Sequence, residues 1–384
     1  MNTVLFYISL FSFIFFLYNF IEMLFFRSKI PFVKDVIPLA NNELPKASII
    51  ITACNEEDKI KSALISICKQ DYPNYEVIVV NDRSTDKTGN IISELSEKLG
   101  IIKQIDILSL PQGWLGKSNA LQKGVEKSSG EIILFADADI EMNPNALRKA
   151  VSHLIRNKLD HFAVSPDTKM PGVILPAFVN LFSAYLSIFT KPWRARFKKS
   201  RYSIGIGAFN LLRKSVYEKI GGHESIRMRP EDDLKLGQII KQACFKQEFG
   251  IGKDMLAVEW YSSISELIKG LEKNSFAALK YSYFLLFLSL IPQLLLNVFP
   301  YAAVFFTTGL TQIFYALILL MLLAYNISAT QFSGSKWYSF LLYPFMALLF
   351  IYIQINSALY FRLNKGINWR GTHYDIAALK ANKI

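Results

Sequence analysis

Between Asn41 and about Lys169 the chain alternates short apolar runs with stretches of helical periodicity. Ala47–Ala53 (ASIIITA), Tyr75–Val80 (YEVIVV), Ile101–Leu108 and Ile132–Ala136 read as strands, because continuous apolar runs of this length suit strands buried on both faces. Glu56–Lys69, Thr88–Leu99 and Asn119–Lys127 read as helices between them. Strand-helix alternation of this kind predicts an α/β fold built on a parallel sheet with right-handed crossovers.

One run organises the rest. Glu131 to Asp139, EIILFADAD, is apolar until it ends in two carboxylates, Asp137 and Asp139, with Ala138 between them. Ligands of open α/β sheets bind beyond the carboxyl ends of the strands, so both acids are expected at a ligand rim. Residues two apart on a strand share a face. Two hard oxygen donors aimed at one point suit Mg2+ or Mn2+, particularly one shared with substrate phosphates. The alternative is that the two acids cap the next helix, whose start is near Asn143-Pro144.

Longer apolar blocks flank this pattern. Val4–Phe26 is long enough to span a bilayer, with Glu22 its only charge. It lacks the basic n-region and small-residue cleavage site of a signal peptide. Arg27, Lys29 and Lys34 follow it, so residues 1–27 read as an anchor with the next domain on the cytoplasmic side of a cell membrane. Val173–Thr190 carries no charge and leads into Lys191–Arg201, KPWRARFKKSR. Pro176 and Asn180 weaken a transmembrane reading, and an interfacial helix over about 173–195 is preferred. Spans are expected near 283–305, 309–328 and 338–360, within a region 281–361 holding two or three crossings. One span before the α/β domain and three after it would put the tail, 362–384, outside. Arg362, Lys365 and Arg370 argue for inside, so one C-terminal segment is expected to be re-entrant or interfacial.

Composition adds two constraints. The 384 residues are 52% hydrophobic with net charge +12, which suits anionic lipid or an anionic substrate. Nucleic acid is excluded as a partner, since the basic residues are interleaved with apolar blocks and carry no nucleic-acid motif. The three cysteines, Cys54, Cys68 and Cys244, have no metal-ligand spacing and fit a reducing compartment.

Five polar clusters fall after successive strands: Cys54-Asn55-Glu56-Glu57, Asn81 to Asp86, Gly113 to Lys117, Asp137-Ala138-Asp139 and Pro230 to Leu234. Each has a structural alternative. Thr85 or Asp86 suits a helix cap, Glu56 and Glu57 suit a first helical turn, and Lys117 suits a solvated surface. Their joint placement at one rim is harder to explain that way.

Together these segments resemble the membrane-anchored family 2 glycosyltransferases of GT-A fold, a Rossmann-like nucleotide-diphospho-sugar transferase architecture. The resemblance rests on TACNEE (Thr52–Glu57), VVNDRSTDKT (Val79–Thr88), GWLGKSNAL (Gly113–Leu121), ADAD (Ala136–Asp139), GIGAFNLLRKSVYEKIGGHE (Gly205–Glu224) and RPEDDLKLG (Arg229–Gly237). It covers about Pro45 to Asn274, within a GT-A domain of 41–275. INWRGTHY, Ile367–Tyr374, is similar to a tail motif of the carotenoid- and hopanoid-associated and ceramide glucosyltransferase-like branch.

The resemblance implies inverting, metal-dependent transfer of one sugar from a nucleotide-diphosphate sugar, a UDP-hexose, to a lipid-like hydroxyl or carboxyl acceptor. Thr52, Asn55, Glu56, Asp82, Lys117, Asp137 and Asp139 would bind the donor, with Asp82 reading the uracil edge. Asp139, with Asp137, would hold Mg2+ or Mn2+. Gly205, Gly207 and Phe209 would line the acceptor side. The catalytic base would be Asp233, by its spacing to Leu236-Gly237, or Asp232 if Glu231-Asp232 is the family's acidic pair. His223 is expected to be a structural loop residue and Trp260 a packing residue. Processive members carry Gln-x-x-Arg-Trp after the base, and no such motif lies between Gly237 and Asn274, so a polysaccharide synthase is the alternative function. A catalytically dead scaffold of the same fold predicts a lost acid, yet Asp82, Asp137, Asp139 and Asp233 are all present.

Overall fold

The computed structural model describes residues 2–333 and 335–382. In chain order, α1 (Asn2–Arg27) precedes β1 (Ala47–Ala53), α2 (Ile60–Ile67), β2 (Tyr75–Asp82), α3 (Thr88–Leu99), β3 (Ile102–Ile107), α4 (Gly116–Glu126), β4 (Ile132–Asp137) and β5 (Ile140–Met142). Then come α5 (Ala146–Arg156), β6 (His161–Ser165), β7 (Asp167–Thr168), α6 (Ile174–Thr190), β8 (Asn210–Arg213), α7 (Lys214–Lys219), α8 (Asp232–Gln242), β9 (Gln247–Ile251) and β10 (Leu256–Val258). The chain continues through α9 (Ile264–Ala278), α10 (Tyr283–Asn297), α11 (Phe299–Phe306), α12 (Gly309–Ser333) and α13 (Tyr343–Asn364) to β11 (Gly366–Trp369), β12 (Thr372–Asp375) and α14 (Ile376–Ala381). Two compact units result. One holds residues 1–29, 168–189 and 260–367, the other 30–167, 190–259 and 368–384.

The second unit is built on a sheet of order β3-β2-β1-β4-β8-β6-β9. β1 lies between β2 and β4, parallel to both, and β2 is parallel to β3. Ile49, Ile50 and Ile51 are wholly buried because both sheet faces are covered, which is why these strands read as unbroken apolar runs. The sheet is not purely parallel, as expected from the alternation. β8 runs antiparallel to both β4 and β6. Its register sets Asn210 opposite Phe135 and Arg213 opposite Ile132, so the chain enters β8 at the carboxyl rim and descends. That reversal delivers Gly205–Gly207 to the rim beside the end of β4.

Two helices begin where chemistry dictates. α2 starts at Ile60 rather than Glu56, leaving Cys54–Lys59 as a rim loop. α4 starts at Gly116 rather than Asn119, which puts Lys117 in its first turn. β5 intervenes before α5, so Asp137 and Asp139 do not cap that helix.

In the first unit, Thr3–Arg27, Ile174–Arg194, Gly309–Thr330 and Trp337–Asn364 are long and apolar enough to cross a membrane. α10 and α11 meet at a bend of 46°. Trp260 stacks on Tyr261 and packs against Phe182 with ring centroids 5.4 Å apart, a packing role as expected. β11 and β12 form a two-stranded hairpin near the C-terminus.

Candidate active site

The loops after β1 and β2 are laced together. Asn55, at φ +56°, donates its N–H to Ser84 Oγ at 3.1 Å and accepts Thr85 N–H at Oδ1 at 2.8 Å. Glu56 N–H donates to Thr88 Oγ1 at 2.8 Å. Glu57 accepts Lys87 N–H, and Asp86 accepts the N–H groups of Glu57 and Thr88. Glu57 and Asp86 are therefore braces, and Asn55 also spends its side chain on the loop. The half-buried Glu56 carboxylate is left to pair with Arg370.

Asp82 ends β2 and is buried, with 4% of its surface exposed. Its two oxygens accept Arg83 Nε–H at 2.7 Å and Nη2–H at 2.9 Å, a bidentate fork made with the adjacent residue. Arg83 reaches this geometry at φ +55°. Gly116 makes room for it: a Cβ there would stand 2.3 Å from Asp82 Oδ2.

Lys117 is not a solvated surface lysine. Its Nζ lies 2.9 Å from Asp137 Oδ1 and 3.8 Å from Asp232 Oδ2. Burial opposes its charge, but Asp137, Asp232 and Asp233 outweigh that and raise its pKa. Asp137 closes β4 opposite Thr52 of β1. Asp139 lies in the following turn rather than on the strand, so strand alternation is not what brings the two acids together. They are close nonetheless. Burial, then the charges of Asp137 and Glu56, push the Asp139 carboxyl up to about 7.

The residues expected on an acceptor side separate into three kinds. Gly207 donates its N–H to Asp233 Oδ2 at 2.9 Å, and a Cβ on it would lie 3.1 Å from Asp137 Oδ2 and 3.5 Å from Asp233 Oδ2. It thus stands between the two acid groups. Gly205 is needed for backbone packing: a Cβ would fall 1.8 Å from the Asp233 carbonyl oxygen. Phe209 is fully buried in the core beneath the rim and does not face an acceptor, contrary to expectation.

Asp232 and Asp233 open α8, where the positive helix end favours carboxylates. Asp232 is buried and turned to Lys117. Asp233 Oδ1 accepts Leu234 N–H at 2.7 Å. Burial, then the charge of Asp232, push Asp233 up to about 6, with Lys117 opposing. Lys117, Asp137, Gly207, Asp232 and Asp233 line one cavity, partly open to solvent. His223 lines it too, its Nδ1 hydrogen-bonded to the Tyr217 hydroxyl at 2.8 Å. Burial, assisted by Lys117, lowers its pKa to about 3, so it stays neutral and structural.

Sequence reasoning missed Arg83 as a partner of Asp82, and it singled out INWRGTHY without placing it at the rim. Arg370, Thr372 and Tyr374 reach the rim from more than 250 positions away, with no local pattern to betray it.

Residues 48–221 match the family described as Glycosyl transferase family 2. The chain carries a family 2 glycosyltransferase domain. Among curated relatives, "Probable glycosyltransferase YdaM" of Bacillus subtilis is 32% identical over 50% of this chain and 46% of its own length. The β-monoglucosyldiacylglycerol synthase of a Nostoc species is 36% identical over 30% of this chain and 25% of its own. A poly-β-1,6-N-acetyl-D-glucosamine synthase of Staphylococcus epidermidis is 27% identical over 45% and 41%. The chain thus spans half or less of the length of these relatives. The solved mannosyltransferase of Pyrobaculum calidifontis, in complex with GDP-mannose and Mn2+, shares the fold of this glycosyltransferase domain. Its TM-score is 0.55 at 18% identity, covering 94% of this chain and 99% of that one.

Proposed function

We propose that the protein is an inverting membrane glycosyltransferase that moves one sugar from a nucleotide-diphosphate sugar to a lipid-like hydroxyl or carboxyl acceptor. The observation that carries this reading is the single cavity in which Lys117 stands between Asp137 and Asp232, with Asp233 beside them on Gly207. Asp137 and a candidate base thereby face the same space.

In this reading Asp233 takes the acceptor proton as the acceptor oxygen bonds to the anomeric carbon. The bond from that carbon to the diphosphate oxygen breaks, the nucleoside diphosphate leaves with the electron pair, and configuration inverts. Asp233 is favoured over Asp232 because its carboxylate meets the Gly207 strip, whereas Asp232 is turned to Lys117. Asp139 and Asp137 fit a divalent cation by their chemistry, as hard oxygen donors at a partly buried rim where Asp139 feels two further carboxylates. Mg2+ or Mn2+, when bound, would offset charge on the departing diphosphate. The bound mannosyltransferase complex supports a sugar nucleotide and Mn2+ as classes of ligand.

Two features support a membrane acceptor. β6 precedes α6 and β8 follows it, and these strands pair, so the chain returns to one sheet on either side of the helix. A single crossing by α6 would part them, which favours α6 lying in the interface. The tail is hydrogen-bonded to Glu56, Arg83 and Gly116 of the catalytic unit, so residues 260–367 cross an even number of times. Crossings by α12 and α13, with the bent α10–α11 pair re-entrant, satisfy that parity and keep tail and catalytic unit on the cytoplasmic side. The named lipid product of the diacylglycerol relative agrees with this acceptor class, while the polymer synthase relative keeps a polysaccharide product as the second reading.

The test is a donor screen with detergent-purified protein, Mn2+ and total lipid extract, following nucleotide release and the mass of new lipids. One added hexose is the expected result. A ladder of sugars would establish the polymer reading instead, and release of no nucleotide from any donor would contradict both.

A further inference from the structure

The tail lies outside the residues matched by the glycosyltransferase family, yet it is fastened across the rim that carries the chemistry. Arg370 donates from Nη1 to the carbonyls of Cys54 and Asn55, and its Nη2 pairs with Glu56. Thr372 Oγ1 accepts Arg83 Nη1–H at 2.9 Å, on the same guanidinium that grips Asp82. Tyr374, only 6% exposed, accepts Gly116 N–H at its hydroxyl at 3.2 Å. Asn382 Oδ1 accepts Met228 N–H at 3.2 Å, in the loop leading to Asp233. The tail thus touches the loops after β1, β2 and β3 and the approach to α8.

Exposed ion pairs contribute about 0–1 kcal/mol each, against about 1–2 kcal/mol of backbone entropy for every residue ordered. A polar strap on such contacts is stabilised further when a ligand shares them. Arg370 is placed for this. Its side chain is 41% exposed, and neither its Nε–H nor its second Nη2–H has an acceptor among the described residues. The loop it holds continues from β1, whose Thr52 lies opposite Asp137. A guanidinium there presents a planar fork suited to phosphate oxygens.

We propose that Arg370 is a donor-binding residue, brought to the rim by the C-terminal hairpin, which contacts the diphosphate of a nucleoside diphosphate sugar. The inference rests on the donor-site reading above. Thr372 and Tyr374 hold the hairpin in place, and tail ordering and donor binding strengthen each other reciprocally.

The experiment is isothermal titration of the full-length, detergent-purified protein with UDP and with GDP, each with Mn2+. Wild type is compared with Arg370→Ala, Arg370→Lys and Lys380→Ala, the last removing an exposed tail charge with no hydrogen bond or ion pair among the described residues. Losing a charge-assisted contact predicts affinity weakened about tenfold or more in Arg370→Ala. Lys380→Ala should stay within about twofold of wild type, as surface substitutions do, and Arg370→Lys should fall between. Arg370→Ala binding like wild type would overturn the inference and leave the donor-site reading intact. Arg370→Lys binding as weakly as Arg370→Ala, with both melting below wild type, would make the residue structural and also overturn it. Wild type binding neither nucleotide would remove the donor-site reading, and the inference with it.

Discussion

Two pairs of acids at the rim differ in setting; Asp137, Asp232 and Asp233 line the cavity, and Asp139 lies in the turn after Asp137. Asp137 and Asp139 sit where a buried strand runs out into a turn. Asp232 and Asp233 sit on the first turn of a helix. In each pair one member meets Lys117, at 2.9 Å for Asp137 and 3.8 Å for Asp232, and the other carries a raised pKa. The lysine thus pairs with one acid of each pair, while burial and the neighbouring carboxylate raise the pKa of the other. On the proposed donor side that neighbour would suit a cation. On the acceptor side it suits a proton, because Asp233 is pushed up towards the range where a general base works well. In the proposed reading the same residue type acquires two uses from its surroundings.

The strongest way to break this comparison is to remove the donor-side acid. Asp139→Asn should lower transfer by about a hundredfold or more and abolish the dependence of nucleotide binding on Mn2+, read by titration with and without the metal. Retained metal dependence would mean the two pairs are not distinct in role.

The glycines sharpen the comparison next. Gly205→Ala puts a Cβ 1.8 Å from a backbone oxygen of α8, which only a backbone shift can relieve. A loss of about 1–3 kcal/mol in stability is expected from such overpacking, read as a lower melting temperature. Gly207→Ala meets only carboxylate oxygens, at 3.1 Å or more, and should leave melting nearly unchanged while slowing transfer.

pH separates the pairs more gently. A base with its pKa raised to about 6 is active when deprotonated, so the rate should fall as pH drops through about 6, approaching tenfold per unit below it. Stability carries the opposite sign. A carboxyl whose folded pKa exceeds its unfolded value opposes folding above that pKa, and the penalty is relieved as pH falls. Asp233→Asn should therefore melt no lower than wild type at neutral pH. A marked fall in melting temperature would show that Asp233 is structural.

The smallest effect concerns a brace. Asp86→Ala loses the N–H groups of Glu57 and Thr88, a cap-like loss of about 1 kcal/mol, with transfer within about threefold of wild type.

Much of the donor half was legible because its strands are buried on both faces. ASIIITA and IILFAD could only be central strands, and the acids that end them had to stand at the rim. β8, NLLR, was not legible. At four residues it is too short to show a period, and its antiparallel direction is set by the long excursion through α6. Phe209 was misplaced for the same reason: it precedes a strand whose register the sequence does not carry. The bend between α10 and α11 falls inside 283–305, which reads as one span by its overall apolarity, although Asn297 and Pro300 flank the break. Asp82 was legible as a site residue but its partner was not, since a bidentate pair between adjacent residues depends on the left-handed backbone of Arg83. The tail was least legible of all. Its contacts with Glu56, Arg83 and Gly116 join residues far apart in sequence, and nothing in INWRGTHY itself announces where it docks.

The most direct test of the two-pair account is nucleotide affinity and transfer measured side by side for wild type, Asp232→Asn and Asp233→Asn. With Asp233 as the base, Asp233→Asn keeps nucleotide affinity within about twofold of wild type while transfer falls by about a hundredfold or more. Asp232→Asn, which strips Lys117 of a counter-charge, retains more transfer than Asp233→Asn. Undiminished transfer by Asp233→Asn would contradict the assignment.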